Sequence, residues 1–437
     1  MTSAAEWRAI LAEVNQAGGC THPVRLRGVV LDRVNGELVE RGILVPCKDR
    51  RAAVCPSCSR LYQWDAWQLV AAGIRGGKGV DPDVTEHPQL FVTLTAPSFG
   101  AVHTRSRTGV VGKLCRPRRG DRWCPHGSSL GCHMRHADGD PVLGEPLCAE
   151  CFDYPGAVLW NAHVPALWER TSLELYRAVA KVGNLRVREL RATVRLSYMK
   201  VVEFQRRGLV HLHVVVRADG RAGPSERPPE WLSVQALMAA VSDTVARAAV
   251  TVPSGAPGRA TKVSWGSEFD VRVLVPGPGG DSTAIAAYVA KYATKTADGT
   301  PALAHPIRSA SQLERLAVRP HIVRLVKEAW ALGGRKELRP LRLRAHAHTL
   351  GYTGQFSSKS LLFSTTFGAL RDARTLYVRG MAEAPYDYDG EWQFAGRGYA
   401  HPESNRVAES LLAATLRAPR SLPASSTTTT TTSSTTP

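Results

Sequence analysis

From Tyr198 to Val214 the chain reads Tyr-Met-Lys-Val-Val-Glu-Phe-Gln-Arg-Arg-Gly-Leu-Val-His-Leu-His-Val, and no other stretch constrains the fold as tightly. Two apolar, β-branched runs flank a short polar break that ends in glycine, the pattern of a β-hairpin. Register depends on loop length, because a slip of one residue turns every side chain to the other face. A two-residue loop at Arg206-Arg207 would pair Val202 with His211. A three-residue loop, Arg206-Arg207-Gly208, is a type I turn closed by a bulge that favours glycine in last place. That loop pairs Gln205 with Leu209 and Glu203 with His211. Gly208 selects the second register. His211 and His213, two apart on one strand, then face the same side as Glu203 and can grip a single cation. Gln205 is next in line as a ligand. Two imidazoles and a carboxylate would leave positions on Mg²⁺ or Mn²⁺ open to a phosphate oxygen. A His-x-His by itself more often decorates a half-buried strand; the matching glutamate and two tyrosines downstream favour the metal.

Those tyrosines lie on an expected helix, with Asp281 or Ser282 as N-cap and Ala284-Ile-Ala-Ala-Tyr-Val-Ala as its body. Tyr288 and Tyr292, four apart, share a face, with Lys291 between them and Lys295 one turn beyond. A tyrosine hydroxyl titrates near ~10 and is a poor nucleophile unless positive charge or a metal activates it. Attack on a phosphodiester would leave a covalent phosphotyrosine and a free 3′-hydroxyl, and would be reversible. Tyrosines at helical spacing are, taken alone, more often core residues.

The whole chain suits such a substrate. Of its 437 residues, 56 are Lys or Arg and 38 Asp or Glu, a net charge of +18 that favours a polyanionic partner. No apolar run approaches the ~18 residues of a membrane span, and Met1 to Arg8 lacks a signal-peptide core. A cytoplasmic protein with no membrane partner is expected. Nine cysteines, clustered in the first third among histidines, argue for zinc over disulfides. Cys20, Cys47, Cys55 and Cys58 supply four thiolates for a structural Zn²⁺. In a second cluster Cys148-x-x-Cys151 is a sound half-site, completed by Cys124 and Cys132, with Cys115 and His136 as substitutes. One or two zinc ions are expected, folding loop-rich stretches and presenting Arg116, Arg118, Arg119 and Arg122 to a phosphate backbone. Arg207 and Lys295 are further expected DNA contacts.

His211-Leu-His213 with Tyr288-x-x-Lys291-Tyr292 resembles the HUH endonuclease superfamily of rolling-circle initiators, and Phe91-Val-Thr-Leu-Thr95 resembles the core strand before its metal pair. The paired tyrosines resemble those of initiators from isometric single-stranded DNA phages, in which the two alternate as nucleophiles; some plasmid relatives carry glutamate where this chain has Tyr288. Cys55-Pro-Ser-Cys58, Cys124-Pro-His-Gly, Pro146-Leu-Cys-Ala-Glu-Cys151, Glu203 to His213, Trp265-Gly266, Asp270-Val-Arg272 and Gly354 to Ser360 resemble the initiators of actinomycete plasmids and integrative elements. The likeness spans roughly residues 20–375.

The resemblance implies an α+β fold with an HUH core of central antiparallel sheet and flanking helices; the cysteine clusters add expected zinc-binding modules, and the Ser/Thr-rich end is expected to be a disordered tail. The expected division is a cysteine-containing module at 1–85, a nuclease core at 86–300 with a zinc-binding insertion at about 100–158, a basic DNA-binding region at 301–420, and a Ser/Thr tail at 421–437. It also implies origin-specific nicking of single-stranded DNA through Tyr292, with Tyr288 as second nucleophile. No Walker-type motif is present, so a host helicase is the expected partner. The alternatives are a zinc-stabilised DNA-binding regulator with a vestigial site, or a transposase or relaxase using the same chemistry.

Overall fold

A computed structural model describes residues 3–32, 34–105, 114–117, 123–254, 256, 258–275, 282–294, 301–380, 386–387 and 391–417. The fold mixes helices with antiparallel sheets. The Ser/Thr tail at 421–437 lies outside the described residues. Among those residues, no helix is long and apolar enough to cross a membrane.

The chain divides into two compact units: Met1–Cys47 with Pro56–Cys58 and Pro385–Pro437, and Lys48–Cys55 with Ser59–Ala384. In the smaller unit, strand Val24–Asp32 pairs on one edge with Leu38–Val45 and on the other with Trp392–Arg397 and Tyr386–Asp387, all antiparallel. Helices Ala4–Gln16 and Pro402–Arg417 belong to the same unit. Glu13 of the first takes hydrogen bonds from the Ala400 N–H and the Ser404 hydroxyl. The division thus differs from the expected modules at 1–85 and 301–420, because pairing joins strands from opposite ends of the chain.

The larger unit is built on a five-stranded antiparallel sheet in the order Phe269–Val273, Gln89–Leu94, Val210–Gly220, Val194–Phe204, Ser357–Lys359. Both faces are covered, and residue parity decides what lies on each. Leu212, Val214, Val216 and Ala218 enter the main core with Val92, Leu94 and Val202, beneath helices Tyr154–Val182 and Val234–Arg247. Phe91, Met199, Val201 and Val215 belong to a second core, with Ala286, Val289 and Ala290 of the tyrosine helix, Ser282–Tyr292, and Ala293 just after it. His211 and His213 have the parity of Val215. Alternation therefore turns them toward the tyrosine helix.

Candidate metal and tyrosine site

The hairpin turn sets the site. Gly208 sits at φ +74°; its N–H donates to the Gln205 carbonyl, and the Gln205 N–H donates to the Leu209 carbonyl, both at 2.8 Å. A side chain at 208 would have to adopt the left-handed region and would run into Leu325. Glu203 consequently stands opposite His211, the register a three-residue loop requires. Its Oε2 lies 2.9 Å from His211 Nε2 and 3.1 Å from His213 Nε2. Burial pushes the Glu203 carboxyl up, but hydrogen bonds and charge from His211 and His213 outweigh it and hold the group down at about 2. Burial also pushes His213 down, favouring the neutral ring that a metal needs.

Outer contacts orient both rings. The Thr93 hydroxyl lies 3.2 Å from His213 Nδ1 and can accept its proton, the tautomer in which Nε2 would be free to ligate a cation. The Gln205 amide nitrogen is 3.4 Å from His211 Nδ1. Its carbonyl end accepts a bond from Arg207 Nε at 2.7 Å. Arg207 also donates to the carbonyls of Pro97 at 3.1 Å and Ala96 at 2.9 Å. Arg207, an expected DNA contact, has a half-buried guanidinium bonded inward to these carbonyls, and desolvation pushes its pKa down to about 10.

Tyr288 and Tyr292 project from their helix toward the same group. Tyr288 Oη is 3.3 Å from His213 Nε2. The ring centres of Tyr288 and Tyr292 lie 4.8 and 5.5 Å from that of His213, and 4.6 Å from each other. Burial, then the Glu203 charge, pushes the Tyr292 hydroxyl pKa up, against an opposing hydrogen bond with Tyr288. Lys291 is exposed, with Nζ over the Tyr292 ring at 5.7 Å from its centre. Lys295 lies outside the described residues.

Of the first cysteine set, Cys20, Cys47 and Cys58 share the smaller unit with their sulphurs within 4.8 Å of one another. Cys55 is the buried N-cap of helix Pro56–Arg75, three residues before Cys58 along the chain. The second set needs correction. Cys124 groups with His126, Cys148 and Cys151, whereas Cys132 groups with His103, Cys115 and His136. The cause is a backbone pairing of Arg116 with Cys132, which carries Cys132 away from Cys124. His126 was visible in the sequence but not preferred over Cys132. His103 was missed, having no near neighbour in sequence to mark it. Thr93 was legible only as a polar residue in an apolar strand. Arg116 is half-buried and donates to the Val102 carbonyl at 2.8 Å; Arg118, Arg119 and Arg122 lie outside the described residues.

A family model described as "Replication initiator protein, pSAM2" matches residues 6–413. The chain belongs to the pSAM2 replication initiator family. A replication initiator protein of Streptomyces ambofaciens is 39% identical over 436 residues, covering 92% of this chain and 88% of its own length. No solved structure matches. Within this pSAM2-family chain, Glu203, His211 and His213 are one of four His/Cys/Asp/Glu groups able to hold a metal ion among the described residues.

Proposed function

We propose that this initiator nicks and rejoins one strand of DNA at a plasmid-type origin, as an HUH endonuclease acting in the cytoplasm. The observation that carries the reading is the convergence of Glu203 Oε2 and two imidazole Nε2 atoms beside Tyr288 and Tyr292. The donor set fits Mg²⁺ or Mn²⁺: one hard carboxylate oxygen and two imidazoles, of which His213 can donate its outer Nδ1–H to the Thr93 hydroxyl. When bound, the ion would supply Lewis-acid stabilisation of charge developing on a phosphate oxygen.

The residues divide the remaining work. Tyr292 bonds to phosphorus through its phenolic oxygen as the P–O3′ bond breaks. The phenolic proton ends on the departing 3′-oxygen, leaving a 3′-hydroxyl that can prime synthesis. The charge of Glu203 opposes ionisation of Tyr292, so its neutralisation eases the attack. Tyr288, closer to His213, supplies a second nucleophile for termination. Lys291 offers its charge over the face of the Tyr292 ring. The net charge of +18 favours association with DNA. Cys20, Cys47 and Cys58 within the smaller unit, and separately Cys124, His126, Cys148 and Cys151, are donor sets suited to structural Zn²⁺. Strand separation is left to a host helicase.

The test is a denaturing gel for a covalent adduct. Full-length protein would meet labelled single strands tiling the DNA around its gene, with Mn²⁺ or EDTA. An adduct with Mn²⁺ that disappears in EDTA and in Tyr288→Phe/Tyr292→Phe is expected. Tight binding without any adduct would overturn the reading and leave a DNA-binding regulator.

A further inference from the structure

His103, Cys115, Cys132 and His136 form a donor set whose dimensions are those of a tetrahedron. His103 Nδ1 lies 3.3 Å from His136 Nε2, Cys132 Sγ is 3.5 Å from the same Nε2, and Cys115 Sγ is 3.9 Å from His103 Nδ1. Zn–N bonds of about 2.0–2.1 Å and Zn–S bonds of about 2.3 Å give tetrahedral edges of roughly 3.3 Å between nitrogens and roughly 3.6 Å between nitrogen and sulphur. The outer contacts are equally characteristic. His136 Nδ1 donates to Asp140 Oδ2 at 2.7 Å, fixing the tautomer that leaves Nε2 able to ligate. The Thr104 N–H points at Cys115 Sγ at 3.2 Å, as an amide does toward a thiolate.

Asp140 also begins a strap that clasps the turn of the Glu203–His211 hairpin. Its carbonyl accepts a bond from Arg206 at 3.1 Å. Gly144, at φ +87°, lies so close to the Arg206 backbone that an added Cβ would sit 2.5 Å from the Arg206 carbonyl carbon. Arg319 binds the Leu143 carbonyl and Glu145 on the strap, both at 3.2 Å, and the Arg206 carbonyl on the turn at 2.6 Å. His321 joins the same two elements, its N–H donating to Glu145 at 3.2 Å and its Nε2 to the Arg207 carbonyl at 2.9 Å.

We propose that His103, Cys115, Cys132 and His136 bind one structural Zn²⁺, distinct from the Cys124–His126–Cys148–Cys151 group, and that this centre holds the Asp140–Glu145 strap against the hairpin turn. Only the purpose of that hairpin rests on the nicking reading; the zinc and the clamp do not.

The test uses full-length protein and two readouts, neither of them nicking. Metal content by mass spectrometry should fall by one zinc per chain in Cys115→Ser/Cys132→Ser. It should fall by a further one when Cys148→Ser/Cys151→Ser is added. Asp140→Asn should keep the zinc but release it to a chelator about 10–100-fold more readily, with faster amide exchange at residues 204–211. Zinc content equal to wild type in Cys115→Ser/Cys132→Ser would overturn the proposal. If that variant does not fold, Asp140→Asn decides: wild-type zinc release and wild-type exchange at the turn would overturn it equally.

Discussion

One strand carries two polar clusters, one at each end, and they solve opposite problems. Along Val210–Gly220, His211, His213, Val215, Arg217 and Asp219 share a face. At the far end, Asp219 and Arg217 are fully buried, and each carboxylate oxygen has two donors. Oδ1 meets His87 Nδ1 at 2.8 Å and Arg217 Nε at 2.6 Å; Oδ2 meets Ser197 Oγ at 2.7 Å and an Arg217 terminal nitrogen at 3.0 Å. Around the Asp219 carboxylate every oxygen is matched by donors, while the outer His87 Nε2 is buried with no hydrogen-bond partner among the described residues. At the turn end, two imidazole nitrogens crowd onto one oxygen of Glu203, at a site bordered by exposed Tyr288 and Lys291. The difference is between a carboxylate whose two oxygens are each met by two donors and one whose single oxygen and two facing imidazoles would, on the proposed reading, converge on a cation.

The comparison breaks most visibly at Asp219. Asp219→Asn removes the counter-charge of a buried guanidinium and should cost about 3–5 kcal/mol of folding stability, measured by urea unfolding in EDTA. The affinity of the folded protein for Mn²⁺ should be unchanged. The pH dependence follows from the same contacts. Burial pushes the Asp219 carboxyl up, but His87, Arg217 and Ser197 outweigh it and hold it below its ordinary value of 3.8. A depressed folded pKa means the contribution is complete above the unfolded value and is lost as pH falls through the folded one. Wild-type stability should therefore decline on acidification below about 4, and Asp219→Asn should decline less steeply. Parallel acid profiles would show that Asp219 is not balanced as the contacts indicate.

The opposite pattern is expected at Glu203. Glu203→Gln withdraws a charged donor from the convergent group, removing several kcal/mol of its interaction with a divalent cation, or about a hundredfold in affinity or more. Mn²⁺ titration would read the loss, and the covalent adduct should fall with it. Unfolding in EDTA should shift far less than in Asp219→Asn. A Glu203→Gln protein that binds Mn²⁺ as wild type does would remove the distinction between the two ends.

How much of this was legible depended on the range of the interaction. The register of Glu203 against His211 could be read because Gly208 and the alternation of Leu212, Val214 and Val216 are local signals. The spacing of Tyr288 and Tyr292 is local too, and the helix at Ser282–Tyr292 follows it. Arg207 looked like any basic residue on a turn; only the carbonyls of Ala96 and Pro97, over a hundred residues away, turn it inward. The two inner metal groups interleave along the chain, so adjacency suggested the wrong partner for Cys132. Pairing of Val24–Asp32 with Trp392–Arg397 leaves no trace in either segment's pattern.

The finest distinction lies at Thr93, which stands directly across from His213 on the neighbouring strand. If the turn-end cluster is a metal site, this hydroxyl matters only by fixing a ring, since its contact is with Nδ1 and not with the convergent point. Thr93→Val keeps the shape and the strand preference while deleting the acceptor. The His213 ring then loses the partner that selects its tautomer, and outer contacts of this kind contribute about 10–100-fold to metal affinity. A weakening of Mn²⁺ binding by about tenfold is expected, with little change in unfolding in EDTA because a half-buried hydroxyl is exchanged for a methyl group. The converse result, lower stability with unchanged Mn²⁺ affinity, would place Thr93 and His213 with the balanced cluster at the other end, as a strand-to-strand tie and not as part of a ligand shell.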